Sequence, residues 1–182
     1  IVAYKAFANE PDLYKNYLQK YHLDKKTGID LLGEGNPRLP KLKRNREGLH
    51  AMITASFGYA IQVSPLQTLM LYNAIANDGV MMKPYLVSSI KNNGLTEKEF
   101  SPIVLDKQIA KPKVIKDARL CMEAVTTEGT AKDVFTDFPF GVAGKTGTAH
   151  VADGKYGYND GVYQASFVGY FPADQPEYTC IV

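Results

Sequence analysis

The chain has no tryptophan, only two cysteines, and almost no surplus of charge of either sign. Two cysteines cannot build the disulfide framework of a small secreted scaffold. Cys121 lies in a helical apolar pattern and Cys180 in a strand pattern, which predicts two reduced, buried thiols rather than a bridge or a metal site. The formal net charge is +2, so composition makes no electrostatic case for a nucleic-acid partner. No apolar run approaches the roughly 18 residues needed to span a bilayer. No secretory leader is present. What is present is 182 residues, 45 % apolar and 22 % charged, enough for one domain with its own core.

The ends suggest a piece of something longer. The chain opens within an apolar helical pattern (Ile1, Val2, Phe7, Ala8) and stops in what reads as a strand, Tyr178–Val182, whereas natural termini are usually polar and loose. A missing leader or anchor here therefore says nothing about the parent. Residues 1–22 read as two short helices split near Pro11, the second carrying Leu13, Tyr17, Leu18 and Tyr21 at helical spacing. Residues 24–50 are polar and turn-rich. They include the run Lys41–Arg46, read as a solvated basic loop because no aromatic residues interleave its cations. Ser64-Pro65-Leu66-Gln67 has the form of a helix start with a capping box. An apolar stripe follows, until Asn77-Asp78-Gly79 stops it. Residues 81–90 and 103–105 read as strands. A helix is expected after Pro112, with Val114, Ala118, Cys121 and Val125 on one face, ending near Gly129. The remainder reads as an antiparallel meander: a strand over 141–149, a polar glycine-rich connection, a second strand over 163–171, and a third over 178–182.

The first strand of that meander carries the chemistry. In Ala143-Gly-Lys-Thr-Gly-Thr-Ala149, one lysine stands beside two threonines and between two glycines. A phosphate loop needs G-x-x-x-x-G-K-[ST] leading into a helix; here Pro139 falls where the first glycine belongs, and hairpin signals follow Lys145. A plain edge-strand lysine would need neither paired threonines nor glycines that weaken the strand. The remaining reading is a substrate rail. Thr146 and Thr148 share a face, Lys145 supplies the field for a carboxylate, Gly147 lets a peptide backbone approach, and a backbone N–H of this strand is available as one half of an oxyanion hole.

This strand resembles the K-T-G box of the penicillin-binding proteins and serine β-lactamases. The surrounding segments Thr27–Glu34, Ala55–Val87, Glu128–Phe135, Ala143–Ala149 and Ala165–Ala173 follow the order seen in class B penicillin-binding proteins, and in the division type more than the elongation type. His150 stands where that family commonly has glutamine. The resemblance covers essentially the whole chain. It implies an α+β fold, an antiparallel sheet flanked by helices, of which residues 1–182 are the C-terminal part of one transpeptidase domain truncated at both ends. It also implies a serine D,D-transpeptidase that cross-links peptidoglycan stem peptides ending in D-Ala-D-Ala. The parent would be anchored in the membrane of a bacterium and face the periplasm, the fragment itself being soluble. It would use no cofactor and no metal, bind β-lactams, and meet the proteins of cell-wall synthesis and division. Lys145 and Thr148 would be catalytic; Thr146, Gly147 and Thr148 would hold the substrate.

The family's nucleophile, the serine of S-x-x-K, and its S-x-N box are missing. Ser88-Ser89-Ile90-Lys91 fits S-x-x-K literally. It lies in a strand reading before the turn Asn92-Asn93-Gly94, so residues three apart face opposite ways. The expectation is that residues 1–182 alone are inactive, half a sheet with uncovered faces. A non-catalytic binding or sensing module that keeps the lysine wall is the alternative. An S-x-x-K helix and S-x-N turn in the preceding sequence would decide between them.

Overall fold

A computed structural model describes residues 2–152 and 158–182. Two compact units divide the chain, Ile1–Leu71 with Val80–Ile109, and Tyr72–Gly79 with Ala110–Val182.

In the first unit, α1 (Val2–Phe7) and α2 (Pro11–Lys20) are separated where expected, with Pro11 at the first position of α2. Phe7 meets Tyr14 and Tyr17 with ring centroids 5.3 and 5.9 Å apart, and Leu18 is buried. The loop that follows closes on Glu34, whose carboxylate accepts the N–H groups of Thr27 (2.6 Å) and Gly28 (3.3 Å). The run Lys41–Arg46 is exposed apart from Leu42. The polar reading of 24–50 missed a helix, α3 (Arg46–Ala55), capped by Asn45 accepting from the Gly48 N–H at 2.8 Å. It buries Met52 and Ala55 on one side only, and its first turn is all charge and glycine.

The capping box at the head of α4 (Pro65–Ala76) forms as the sequence predicts. The Gln67 side chain accepts from the Ser64 N–H at 2.8 Å, and the Gln67 N–H donates to Ser64 Oγ at 3.2 Å. Gln67 is also 1 % exposed, its amide donating to the Lys25 carbonyl at 2.9 Å, so the cap residue ties the 24–34 loop down. The single strand expected over 81–90 is instead two pieces. β1 (Met81–Met82) pairs with β4 (Val104–Asp106), and β2 (Ser89–Asn92) pairs with β3 (Leu95–Glu99) through a two-residue turn. Asn93 (φ 48°) and Gly94 (φ 83°) supply the two left-handed residues such a turn needs.

In the second unit α4 ends at Ala76, and the Gly79 N–H (φ 93°) donates back to the Ala74 carbonyl at 2.7 Å. Helix α5 (Pro112–Thr127) and the single turn α6 (Lys132–Phe135) precede a three-stranded antiparallel sheet in the order β5 (Ala143–Ala152), β6 (Tyr158–Phe171), β7 (Tyr178–Ile181). The meander is as read from the sequence. Its hairpin is longer than expected, because strand pairing continues to His150 with Tyr163 and Ala152 with Tyr158. Of the polar, glycine-rich connection expected between the two strands, residues 153–157 lie outside the described residues, and 150–152 and 158–162 are strand.

The helix α5 exists, but the face assigned to it is rotated. It buries Ile115 and Thr126, while Val114 is half exposed and Cys121 is exposed. Cys180 is exposed as well, so both thiols are free but neither is buried. The helical period fixed the presence of a stripe; the packing partner chose the adjacent one. That partner is a small core of Ala76, Ala143, Tyr170 and Ala173 with Met122 against it. Thr126 completes the attachment, its hydroxyl donating to the Val142 carbonyl at 2.5 Å.

Arg119 clamps this unit. Its guanidinium is 2.9 Å from the Asp78 carboxylate, donates to the carbonyls of Ala173 (3.2 Å) and Asp174 (3.3 Å), and lies 5.9 Å from the Tyr170 ring. The Tyr170 hydroxyl is fully buried with no hydrogen-bond partner among the described residues. Burial pushes its pKa up to about 12, a rise that the Arg119 guanidinium opposes and the Glu123 carboxylate reinforces.

Candidate active site

Sequence pattern and pairing together fix the geometry of β5. Thr146 stands opposite Phe167, and Thr148 opposite Ala165. Phe167 spends both its backbone groups on Val182, its N–H donating at 3.0 Å and its carbonyl accepting at 2.9 Å. The Thr146–Phe167 pair is therefore a non-hydrogen-bonded one, and Thr146 turns its N–H and C=O away from β6. The Lys145 ammonium confirms this by donating to the Thr146 carbonyl at 2.8 Å. Thr148, two residues on in regular register, has the same orientation. Among the described residues no strand pairs with that edge of β5. The edge thus presents the N–H groups of Thr146 and Thr148, with the Lys145 ammonium beside them.

The predicted site residues come together as adjacent positions on one strand. Lys145 and Thr148 are exposed, and Thr146 and Gly147 half-buried. The Lys145 ammonium also lies 3.3 Å from Thr146 Oγ1. The strand runs on through Ala152, so Lys145 is followed by extended chain, where a phosphate loop would need a helix.

The structure adds three residues that pattern reasoning did not single out. The Thr130 hydroxyl, in the connection after α5, is 2.9 Å from the Thr146 hydroxyl. Ser166, opposite Gly147, fills with its hydroxyl the space a side chain at 147 would take. The bare backbone at Gly147 thus has a cause within the sheet. Phe167 lies across Gly144 and Gly169, where added side chains would meet its ring and the facing backbone. The Phe135 ring lies beside that of Phe167, centroids 5.2 Å apart and planes tilted by 43°. Of these, Ser166 and Phe167 sat in a segment already noted for its order, and Thr130 in Glu128–Phe135; no periodicity marks any of them as neighbours of Lys145. The literal S-x-x-K at Ser88–Lys91 belongs to the β2–β3 hairpin, as its turn signal indicates.

Residues 4–182 match the family described as the penicillin binding protein transpeptidase domain. The chain belongs to that family. Stage V sporulation protein D of Bacillus subtilis is 37 % identical over 163 residues, covering 88 % of this chain and 24 % of that protein. A peptidoglycan D,D-transpeptidase FtsI from Buchnera aphidicola subsp. Baizongia pistaciae is 31 % identical over 90 % of this chain and 27 % of its own length. The transpeptidase-domain chain thus spans about a quarter of these relatives. Among solved structures, penicillin-binding protein 3 of Mycobacterium tuberculosis complexed with aztreonam superposes with a TM-score of 0.78 at 27 % identity, over 93 % of this chain and 39 % of that one. The α+β arrangement of helices and antiparallel strands is that of the family. No helix among the described residues is long and apolar enough to cross a membrane.

Proposed function

We propose that this chain forms the substrate-holding wall of a serine D,D-transpeptidase of the class B, division type, working on peptidoglycan. The observation that carries the reading is the outward edge of β5, where two threonine N–H groups and one ammonium face the same way. An extended stem peptide ending in D-Ala-D-Ala lies along this edge, as peptides add to open sheet edges elsewhere. Lys145 and the hydroxyls of Thr146 and Thr148 hold its carboxylate. The Thr148 N–H takes the oxygen that becomes negative when the carbonyl is attacked. The attacking serine belongs to sequence outside these 182 residues. Its Oγ bonds to the penultimate D-alanine carbonyl carbon, the C–N bond to the last D-alanine breaks, and that residue leaves as the amine. An amino group of a neighbouring stem then displaces the serine and completes the cross-link.

The parent is membrane-anchored, faces the outside of a bacterium and meets other cell-wall and division proteins. β-Lactams imitate the substrate and stop at the acyl-enzyme; the relative solved with aztreonam supports this part. Two measurements with a fluorescent penicillin test the reading. Residues 1–182 alone stay unlabelled, and the full-length gene product is labelled at a rate that Lys145→Ala lowers about 10²-fold or more, as loss of a charge-stabilising donor does. Labelling of isolated 1–182, or a full-length Lys145→Ala variant as fast as wild type, would overturn it.

A further inference from the structure

Thr130 is held more rigidly than a loop residue need be. The Gly129 N–H donates to the Ala124 carbonyl at 2.7 Å, and the Ala131 N–H to the Val125 carbonyl at 3.0 Å, so the backbone is pinned on both sides. A side chain at 129 would come within 2.9 Å of Val125 Cα, and Ala131 is buried. Between these fixed neighbours the Thr130 hydroxyl is delivered to Thr146 Oγ1 at 2.9 Å.

Counting protons shows what this contact does. A threonine hydroxyl has one proton to give and two lone pairs to receive with, and an ammonium can only give. Lys145 Nζ, 3.3 Å away, therefore donates into Thr146 Oγ1 and takes one lone pair. We propose that Thr130 donates into the other, so that the only remaining capacity of the Thr146 hydroxyl is its proton, aimed at the substrate carboxylate. Thr130 is then a positioning residue. It makes Thr146 an obligate donor, whose hydrogen bond to an ionised carboxylate is roughly twice as strong as one to a neutral ester or amide carbonyl. This rests on the reading of the β5 edge as a carboxylate site. Removing Thr130's proton leaves Thr146 free to rotate and to accept, which weakens its grip on an anion without altering the strand.

The test compares two probes on the full-length gene product: a penicillin with its free carboxylate and the same penicillin as its methyl ester. Thr130→Val keeps the branched shape and removes the donor; Thr130→Ser keeps the donor. Thr130→Val is expected to slow acylation by the acid about 3- to 10-fold, the scale of one lost hydrogen bond, and by the ester less, about 2- to 3-fold, as a neutral acceptor gains roughly half as much from the donor; Thr130→Ser stays within twofold of wild type on both. Thr146→Val in the same assay checks the underlying reading, because it too must slow the acid more than the ester. If Thr146→Val discriminates between the probes and Thr130→Val does not, the role given to Thr130 is wrong and the carboxylate site stands. If Thr130→Val slows both probes equally with a lowered melting midpoint, its role is structural and the proposal is overturned. If Thr146→Val treats both probes alike, or neither probe acylates the wild type, the carboxylate reading fails and takes the Thr130 proposal with it. Should Thr130→Val not fold, Thr130→Ala gives the same readout.

Discussion

Gly147→Ala separates two explanations for one glycine. An added Cβ falls on the Ser166 hydroxyl, while the Ser166 Cβ sits at an ordinary 3.8 Å. The obstacle is thus a single oxygen that can rotate away. Moving Ser166 off its preferred rotamer costs about 0.5–1.5 kcal/mol, and the alanine recovers roughly 0.4–1 kcal/mol by restricting the unfolded chain. The net change expected for Gly147→Ala lies between about 0.5 kcal/mol stabilising and about 1 kcal/mol destabilising. Removing the oxygen with Ser166→Ala leaves only the favourable term, so the double variant should regain wild-type stability or exceed it slightly. Gly144→Ala is the contrast. Its Cβ would approach the Val168 carbonyl oxygen at 2.5 Å and Gly169 Cα at 2.9 Å, atoms of the neighbouring backbone that have nowhere to go. Overpacking of that kind costs about 1–3 kcal/mol or more. Urea unfolding of the four variants, followed by circular dichroism, gives all the numbers. Failure of Ser166→Ala to restore Gly147→Ala, or a larger loss at 147 than at 144, would falsify the cross-strand account. The acylation rate of the full-length double variant then isolates any need of the substrate for a bare backbone at 147, free of the stability effect.

Other consequences can be measured as directly. Arg119→Met should destabilise by about 2–4 kcal/mol, mostly from the two carbonyl contacts; Asp78→Asn should cost under about 1 kcal/mol because that carboxylate is 86 % exposed. Equal losses in urea unfolding would contradict this division. Tyr170 stays protonated in the fold up to a pKa of about 12, against an ordinary value of 10.0. Between those two values the unfolded chain binds fewer protons than the folded one, so stability should fall as pH rises from 10 towards 12. Tyr170→Phe should flatten that part of the profile, and an unchanged slope would show the phenol is not responsible. At the head of α4, Ser64→Ala should cost about 0.5–2 kcal/mol. Gln67→Ala should cost more, since it also strands the Lys25 carbonyl; the reverse order in thermal melts would contradict the buried role of Gln67.

Local chemistry was legible wherever one residue type had one job. Pro11, Ser64 with Gln67, Asp78-Gly79 and Pro112 mark helix ends through caps and missing donors, and each end lies where those signals place it. The meander was legible from its aromatic and β-branched runs. The face of α5 was not, because Val114 and Ile115 are equally apolar and only tertiary packing decides which turns inward; the α5 residue set against Tyr170 and Ala143 is Met122. Helix α3 was hidden because its stability comes from burying Met52 and Ala55, not from a charged, glycine-bearing first turn. Lys145, Thr146, Gly147 and Thr148 could be picked out because consecutive strand residues are neighbours by construction. Thr130 sits 16 residues from Thr146, and their hydroxyl contact exists only once α5 has been laid against the sheet.

The alternation along β5 has a kinetic signature. Amide protons of Lys145 and Gly147 point into the ladder with β6, whereas those of Thr146 and Thr148 point out of it. Deuterium should therefore enter at every second residue of a strand that is otherwise continuous, fast, slow, fast, slow. A peptide or drug seated along the edge should erase that zigzag by protecting the even-numbered amides alone.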